Sequence, residues 1–310
     1  MNAKLDRTAA RTADRNASPG SDTLWKWLTF SPAFAFMLLF SALPLINLVA
    51  TSFQNVTWTG GQADHSAAGL SHYLALPADV LFRAGLVNTI IFAFVAVGGQ
   101  AVLGLALALF TTKVTRGRTI YRAIFILPIL IPGIVIGAIW KLMLNFDFGL
   151  VNKLLGAIAI APHDWLGGSD TALLSVIAVD IWHWTPFCFL LFLAGLESLP
   201  QDVFEAANMD GANAWQEFIY VTLPLMIPTI VVTCAFRLVL AFKVFDEVYL
   251  LTGGGPGTST EVISFTLYQR FFTEDQLGYG SAMSVAVIFI VSLLLVFAIS
   301  AGRRFEGAAK

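Results

Sequence analysis

Long apolar runs separated by short polar segments dominate the pattern along this chain. A helix needs about 20 apolar residues to cross the hydrocarbon core of a bilayer, and six runs reach or approach this length. They are residues 30–50, 87–110, 123–140, 172–196, 225–242 and 280–301. Backbone amides within lipid must be satisfied inside their own segment, so each run is predicted to be a helix. The pattern predicts an all-α integral membrane protein with six transmembrane helices.

The composition agrees with this pattern. Hydrophobic residues make up 57% of the chain and charged residues 12%, whereas soluble domains carry about 25% charged residues. So few charges exclude an ordinary soluble enzyme, a disordered chain and a nucleic-acid binder with a basic surface. Cys188 and Cys234 lie inside apolar runs, and the sequence has no His or Cys spacing typical of a metal site. Neither a metal nor a cofactor is therefore expected.

The basic residues are divided unevenly between the two sides of the predicted bundle. The side of the termini holds twelve: Lys4, Arg7, Arg11, Arg15, Lys26, Lys113, Arg116, Arg118, Arg122, Arg303, Arg304 and Lys310. The other side holds five: Arg83, Lys141, Lys153, Lys243 and Arg270. The positive-inside rule predicts a multi-pass protein of the cell membrane with both termini in the cytoplasm. Residues 1–23 are predicted to be a disordered cytoplasmic tail, and residues 24–310 the membrane domain.

The connection between the fourth and fifth predicted spans, residues 197–228, is too long for a simple turn. By the predicted orientation it lies in the cytoplasm. A first short helix is expected to begin after Pro200, and Gly211 fits the left-handed position just past its end. Asn213 is predicted to cap a second short helix, with Gln216 as its capping-box partner.

This connection is acidic and contains no basic residue. Its charged residues are Glu197, Asp202, Glu205, Asp210 and Glu217. Helices that rest on anionic headgroups are usually rich in Lys and Arg, so docking to a protein partner is the favoured interpretation. Pro224 and Pro228 are predicted to bracket the return of the chain into the membrane.

Separated positions in this connection match a known signature. They are Glu205-Ala206-Ala207, Gly211 and Leu223-Pro224, with Val221 where isoleucine is usual. Their spacing resembles the EAA motif of permease subunits in binding-protein-dependent ABC importers. Residues 182–196 and 242–256 resemble the carbohydrate-uptake branch, in particular the first permease subunit of maltose-type pairs. The resemblance implies a MetI-like, maltose-type permease fold with a cytoplasmic coupling helix.

The resemblance also implies a set of partners in a bacterial inner membrane. The chain would not be an enzyme; it would pair with a second permease subunit, and two separate ATPase subunits would bind ATP. A periplasmic or lipoprotein receptor would deliver a sugar or sugar-like solute. The residues implied to couple to the ATPase are Glu205, Ala206, Ala207, Asp210, Gly211, Leu223 and Pro224. The sequence has no G-x-x-x-x-G-K-[ST] phosphate loop, which agrees with ATP binding by another chain.

Three ionisable residues lie inside predicted spans, where such residues are costly and mark candidate functional positions. Asp180 and His183 lie about one turn apart in the fourth span, and Arg237 lies near the middle of the fifth. They could line a polar pathway, or Asp180 and Arg237 could pair to hold two helices together. The sequence leaves both possibilities open.

Aromatic residues surround Pro186, which is predicted to kink the fourth span. Trp182, Trp184 and Phe187 could stack on sugar rings or pack against other helices. The resemblance to maltose-type permeases favours sugar contact. It carries that role to His183, Trp184, Phe187, Arg237, Leu240, Ala241 and Val244.

Residues 252–261 read TGGGPGTSTE, and their glycines and proline disfavour regular structure. By the predicted orientation this loop faces outward, either as a plain loop or as a contact with the receptor or the pathway mouth. Asp246 and Glu247 could belong to the same surface.

Two other classes of protein are considered beside a sugar-importer permease. An ion-driven secondary transporter would need two or more acids converging within the membrane, and Asp180 is the one clear acid inside a span. A membrane-embedded enzyme would need paired acids, a nucleophile elbow or a histidine cluster. The sequence shows none of these patterns, and its four histidines are scattered.

Overall fold

The computed structural model describes residues 19–114 and 116–308. Most of the predicted tail lies outside these residues, and a helix already begins at Pro19. In order, the helices and strands are α1 (Pro19–Thr51), β1 (Gln54–Thr59), β2 (Gln62–Ala67), α2 (Ser71–Ala75), α3 (Val80–Lys113), α4 (Arg118–Ile126), α5 (Gly133–Met143), α6 (Leu150–Ala157), α7 (Ala172–Glu197), α8 (Gln201–Met209), α9 (Ala214–Glu217), α10 (Leu223–Ala241), α11 (Asp246–Leu251), α12 (Ile263–Tyr268) and α13 (Leu277–Ala308). Short 3-10 turns lie at Leu76–Ala78 and Leu127–Leu130, and π-turns lie at Phe218–Thr222 and Gln269–Thr273.

Within the described residues, five helices are long and apolar enough to cross a membrane. They are Trp25–Thr51, Val80–Lys113, Ala172–Glu197, Ala214–Ala241 and Leu277–Phe297. A sixth span is formed if the bent pair Arg118–Leu130 and Gly133–Met143 is counted as one. The all-α membrane class and the number of predicted spans are therefore confirmed.

The third predicted span, residues 123–140, is not one straight helix. Its two halves meet at an angle of 94°. Pro128 opens a 3-10 turn, and Pro132 precedes α5 in an extended conformation. Proline lacks an amide donor, and it disfavours the helical conformation at the residue before it, here Ile131. The prediction of a continuous helix was wrong because two prolines four positions apart interrupt its hydrogen bonds.

The core of the bundle is the contact between α3 and α7. Gly104 of α3 brings the two helices together: an added Cβ would lie 2.7 Å from Cys188 Cβ and 2.9 Å from the Phe189 amide nitrogen. Around this contact, Phe92 of α3 and Phe192 of α7 are fully buried in neighbouring apolar clusters. Side chains of α10 and α11 complete these clusters, so α3, α7, α10 and α11 form the framework that holds the site described below.

The hairpin end of the bundle, meaning the end that carries β1 and β2, is tied together by Asp79. Its carboxylate caps α3 by accepting hydrogen bonds from the amides of Leu81 (2.8 Å) and Phe82 (3.1 Å). It also accepts from the Arg270 guanidinium (2.8 Å) and the Tyr279 hydroxyl (2.9 Å). Burial raises the pKa of Asp79, but these hydrogen bonds and the charge of Arg270 outweigh burial and lower it overall. The carboxylate therefore stays charged at neutral pH and links α3 to the start of α13.

The hairpin itself was not predicted. Thr59 pairs with Gln62 across the two strands, so Gly60 and Gly61 form the whole turn. Their φ angles are 59° and 83°, and a two-residue turn of type I′ requires positive φ at both positions. The hairpin lies outside the spans and does not alter the helical class of the membrane domain.

The close contact at Gly104 leads to a testable prediction. We expect Gly104→Ala to lower the melting temperature of the protein in detergent, because overpacking a tight core contact costs about 1–3 kcal/mol. The matched control is Gly98→Ala on the same helix, where an added Cβ has nothing within 4 Å. There the better helix propensity of alanine should leave the melting temperature unchanged or raise it. Equal melting temperatures for the two variants would contradict the proposed contact.

Candidate functional site

The elbow, defined as residues 198–222 between α7 and α10, forms one end of the bundle. Within it α8 begins directly after Pro200, and none of its residues is buried. Gly211 follows with a φ of 75°, the left-handed region that favours glycine. Asn213 Oδ1 accepts from the Gln216 amide (2.9 Å), and Gln216 Oε1 accepts from the Asn213 amide (2.9 Å). The predicted helix start, left-handed glycine and capping box are confirmed.

The second helix of the elbow is not a separate element. α9 continues through the π-turn at Phe218–Thr222 into α10, so that one helix runs from Ala214 to Ala241. Pro224 lies in the first turn of α10, directly after the wider π-turn that accommodates a missing amide donor. Pro224 and Pro228, which were predicted to bracket the return into the membrane, lie in the first turn and in the interior of α10. Leu223 and Pro224 therefore belong to the same continuous helix as the fifth span.

Glu197, the last residue of α7, is held by α4. Arg118 and Arg122 both donate to its carboxylate. These side chains are partly exposed, so the pairs contribute little stability, but they neutralise this acid. The remaining acids of the elbow make no ion pair with any residue the structure describes: Asp202, Glu205, Asp210 and Glu217. The elbow thus offers an unneutralised acidic surface.

A polar cavity of about 190 Å³ lies between α7, α10, α11 and the start of α5. Six of the residues predicted for a substrate pathway line it: Asp180, His183, Trp184, Arg237, Leu240 and Val244. Its other lining residues are Gly133, Lys243, Phe245, Asp246 and Glu247. The fold therefore brings both predicted groups of pathway residues, one from the fourth and one from the fifth span, to a single place.

Three predicted pathway residues lie elsewhere. Trp182 is 41% exposed and faces away from the cavity, with its ring centroid 5.5 Å from that of Trp140. Phe187 stacks on Phe236 with ring centroids 5.8 Å apart. Ala241 is fully buried in the apolar core. These positions pack helices together in the structure as it stands.

The wall of the cavity contains a buried ion pair. Arg237 Nη2 donates to both carboxylate oxygens of Asp180, at 2.8 and 2.6 Å, and both residues are 1% exposed. Gln100 Nε2 of α3 donates to the same carboxylate at 2.7 Å. The guanidinium carbon of Arg237 also lies 4.6 Å from the ring centroid of Trp184. Of the two possibilities left open by the sequence, the structure shows the pairing of Asp180 with Arg237, and the paired residues also line the cavity.

His183 joins the cavity wall to the break in the third span. Its Nδ1 lies 3.1 Å from Glu247 Oε1, and its Nε2 lies 3.2 Å from the carbonyl oxygen of Ile131. Glu247 was predicted to belong to an outer loop surface, which was wrong: it is 5% exposed and faces His183. Its position at the start of α11, just beyond the end of α10, turns it inward.

The loop at residues 252–261 is held against its neighbours. Asn88 Nδ2 of α3 donates to the backbone carbonyl of Glu261 at 2.9 Å. The Glu261 side chain accepts from Thr266 Oγ1 at 2.6 Å. Burial raises the pKa of the Glu261 carboxyl above its ordinary value, against the opposing effects of Thr266 and Arg270. The loop is an ordered part of the hairpin end.

Sequence reasoning passed over two residues that matter to the site. Gln100 is a polar residue in a span that contains no charged residue, and this polarity was the feature that could have indicated it. Glu247 lies just outside an apolar run, so its position suggested an exposed surface. Its partner is 64 positions away in the chain, and no local pattern indicates that pairing.

Comparison with known proteins identifies the class. Residues 100–308 match the family described as "Binding-protein-dependent transport system inner membrane component". The trehalose/maltose transport system permease protein MalF of Thermococcus litoralis is 35% identical over 278 residues, which cover 89% of this chain and 93% of that protein. The sulfoquinovosyl glycerol transport system permease protein SmoG of Agrobacterium fabrum is 33% identical over 272 residues, 88% of each chain.

A solved structure has the same fold. It is a chain of a bacterial ABC transporter involved in the import of the acidic polysaccharide alginate, with a TM-score of 0.79 and 25% identity. The match covers 92% of this chain and 98% of that chain. The chain belongs to the family of binding-protein-dependent transport system inner-membrane components. It is a transport subunit and not an enzyme, and the resemblance drawn from the EAA motif is confirmed.

The buried ion pair gives a second prediction. We expect Asp180→Asn to destabilise the protein by about 3–5 kcal/mol, because it leaves Arg237 buried without a counterion. The double variant Asp180→Asn/Arg237→Gln removes both charges and should unfold at a higher temperature than the single variant. Thermal unfolding in detergent measures both, with the exposed Asp147→Asn as a control. A double variant no more stable than the single one would contradict this role of the pair.

Proposed function

We propose that this chain is one of two permease subunits of an importer for a sugar or sugar-like solute. In this proposal two separate ATPase subunits bind the elbows of the two permeases, and a receptor delivers the solute at the hairpin end. The names of the relatives, which include transport of trehalose, maltose and sulfoquinovosyl glycerol, support the sugar class. The observation that carries the proposal is the exposed, acidic α8. It directly precedes the continuous helix Ala214–Ala241, which leads to the polar cavity.

The elbow has the properties of a docking element for a protein. Its unpaired acids would be repelled by anionic lipid headgroups, while α8 leaves all its residues accessible. Small side chains at Ala206 and Ala207 let a partner approach the backbone closely. Because α9 and α10 form one helix, displacement of α9 by a bound ATPase would move α10 and the cavity wall with it.

We propose that the elbow and both termini lie in the cytoplasm. The excess of Lys and Arg on that side supports this orientation. Arg118 and Arg122, which belong to that excess, contact Glu197 beside the elbow. In the same orientation the hairpin and the loop at residues 252–261 face the receptor.

The cavity has groups suited to a polyhydroxylated solute. Trp184 offers an aromatic face, and charged and polar groups around it can bond hydroxyls. Within the described residues, Gln100 Oε1 and Arg237 Nε have no hydrogen-bond partner. One subunit supplies part of the pathway in this proposal, and the second permease supplies the facing wall.

An ion-driven transporter has less support. It needs membrane-embedded acids free to bind a cation, and the two buried acids of this cavity already hold partners: Asp180 with Arg237, and Glu247 with His183. The two mechanisms are separated by uptake into proteoliposomes that contain the complete importer. ATP-dependent uptake that resists a protonophore supports the proposal, and uptake driven by a proton gradient without ATP would refute it.

The coupling role of the elbow is tested by Glu205→Lys. We expect the amount of solute taken up per ATP hydrolysed to fall steeply, because a lysine reverses the charge at the centre of the docking surface. The importer should still assemble, since Glu205 is exposed. The matched control is Asp147→Lys, an equal charge reversal at an exposed residue between α5 and α6, outside both the elbow and the hairpin. A normal coupling ratio in the Glu205 variant would count against the docking role.

The pathway role of the cavity is tested by Leu240→Trp. The larger side chain should fill much of the 190 Å³ space and abolish uptake, while the basal ATP hydrolysis of the complex persists. Val232→Trp on the same helix is the control, because Val232 is 68% exposed on the outside of the bundle. Full uptake by the Leu240 variant would show that solute passes elsewhere.

A further inference from the structure

His183 can form hydrogen bonds through both ring nitrogens only if the His183–Glu247 pair holds an additional proton. Both of its ring nitrogens face acceptors: a carboxylate oxygen of Glu247 at 3.1 Å and the carbonyl oxygen of Ile131 at 3.2 Å. A neutral imidazole has one N–H and can donate to only one of these. Either the ring is an imidazolium beside a carboxylate, or a neutral ring donates to Ile131 and accepts from a protonated Glu247. Each state holds one proton more than a neutral ring beside a carboxylate.

These contacts join α7, α11 and the break in the third span. Ile131 lies in the break between the 3-10 turn and α5, and its carbonyl belongs to no helix. Irregular backbone at membrane depth needs a partner within the protein, and His183 of α7 supplies it. Glu247 connects the same ring to α11. The contacts therefore fix the wall of the cavity where the third span is broken.

The charged groups around this ring are few. On α7 the neighbour is Asp180, which is paired with Arg237 of α10. Lys243, after α10, and Asp246 of α11 line the same cavity with opposite charges. The break and the adjoining turns, residues 123–140, carry no charged residue, and neither does α3 opposite, between residues 84 and 112. The formal charges of these neighbours cancel one another.

We propose that His183 is a positioning residue that uses this shared proton to clamp the broken third span against α11. Loss of the proton removes one of the two hydrogen bonds, so the clamp loosens and the cavity opens as pH rises. The role of this opening in the transport cycle rests on the proposed function; the clamp itself does not.

The variant Glu247→Gln tests the role of the proton while keeping both hydrogen bonds of His183. A glutamine amide can donate to Nδ1 while Nε2–H donates to Ile131, so this variant forms both hydrogen bonds without an extra proton. Its clamp should be closed at every pH. His183→Ala removes both bonds and should leave the clamp open at every pH.

The readout is chemical labelling of a cysteine placed in the cavity, Val244→Cys, in the complete importer with Cys188 and Cys234 replaced by alanine. A hydrophilic maleimide is applied between about pH 5 and about pH 8, the range in which an unperturbed imidazole changes charge. Labelling of Ser169→Cys, which is exposed, corrects for the pH dependence of the reagent. Corrected labelling should rise with pH beside native Glu247, by up to about tenfold per pH unit for one proton.

The same labelling should stay low and flat beside Glu247→Gln, and high and flat beside His183→Ala. An unchanged pH dependence in the Glu247→Gln background would overturn the proposal. Thermal unfolding of the Glu247→Gln variant, with native cysteines, gives a second measurement: its melting temperature should depend less on pH than that of the unmodified protein. Equal dependence would also overturn the proposal. Neither readout needs a transported solute, and thermal unfolding uses this chain alone, so its result stays interpretable if the proposed function fails.

Discussion

The ion pair between Arg237 and Asp180 is the constraint on which the centre of the bundle depends. Two charges removed from water are tolerated only when they neutralise each other and their hydrogen bonds are made. Here the pair joins α7 to α10, and Gln100 adds α3. An arrangement of these three helices that separated the charges would leave each of them buried without a counterion. The polar groups of the cavity are therefore positioned relative to this contact.

The third and fifth spans differ in their continuity. The helix from Ala214 to Ala241 is continuous from the elbow into the bundle. The third span is bent by 94°, and His183 contacts the carbonyl of Ile131 at its break. The cavity is lined by residues of the continuous helix and by Gly133, which directly follows the break.

Local features were predictable because their causes are local. The start of α8 after Pro200, the left-handed Gly211 and the capping box of Asn213 follow from nearby residues alone. The hairpin was equally local, since a β-branched and aromatic segment followed by Gly60-Gly61 is typical of one. A search for long apolar runs does not detect it. The break at Pro128 and Pro132 was likewise visible in the sequence, but hydropathy averages over it.

The candidate site was predictable in its members more than in its contacts. The cost of charge in lipid indicated Asp180, His183 and Arg237, and all three line one cavity. The face of α7 that each aromatic residue occupies was harder to assign, because α7 carries apolar residues on every face. The pairing of His183 with Glu247 depends on how α11 turns back after α10. That is a property of the tertiary fold.

α1 stands apart from the rest of this architecture. None of residues 25–51 is buried by other parts of the chain. Although α1 contacts α13 and β1, it buries none of these side chains, so this subunit requires them to be apolar more than to have a fixed shape. Substitutions among leucine, isoleucine, phenylalanine and methionine would be interchangeable here unless another molecule lies against the helix. The positions of α1 at which such substitutions are not tolerated would therefore identify the side of the helix that contacts another molecule in the membrane.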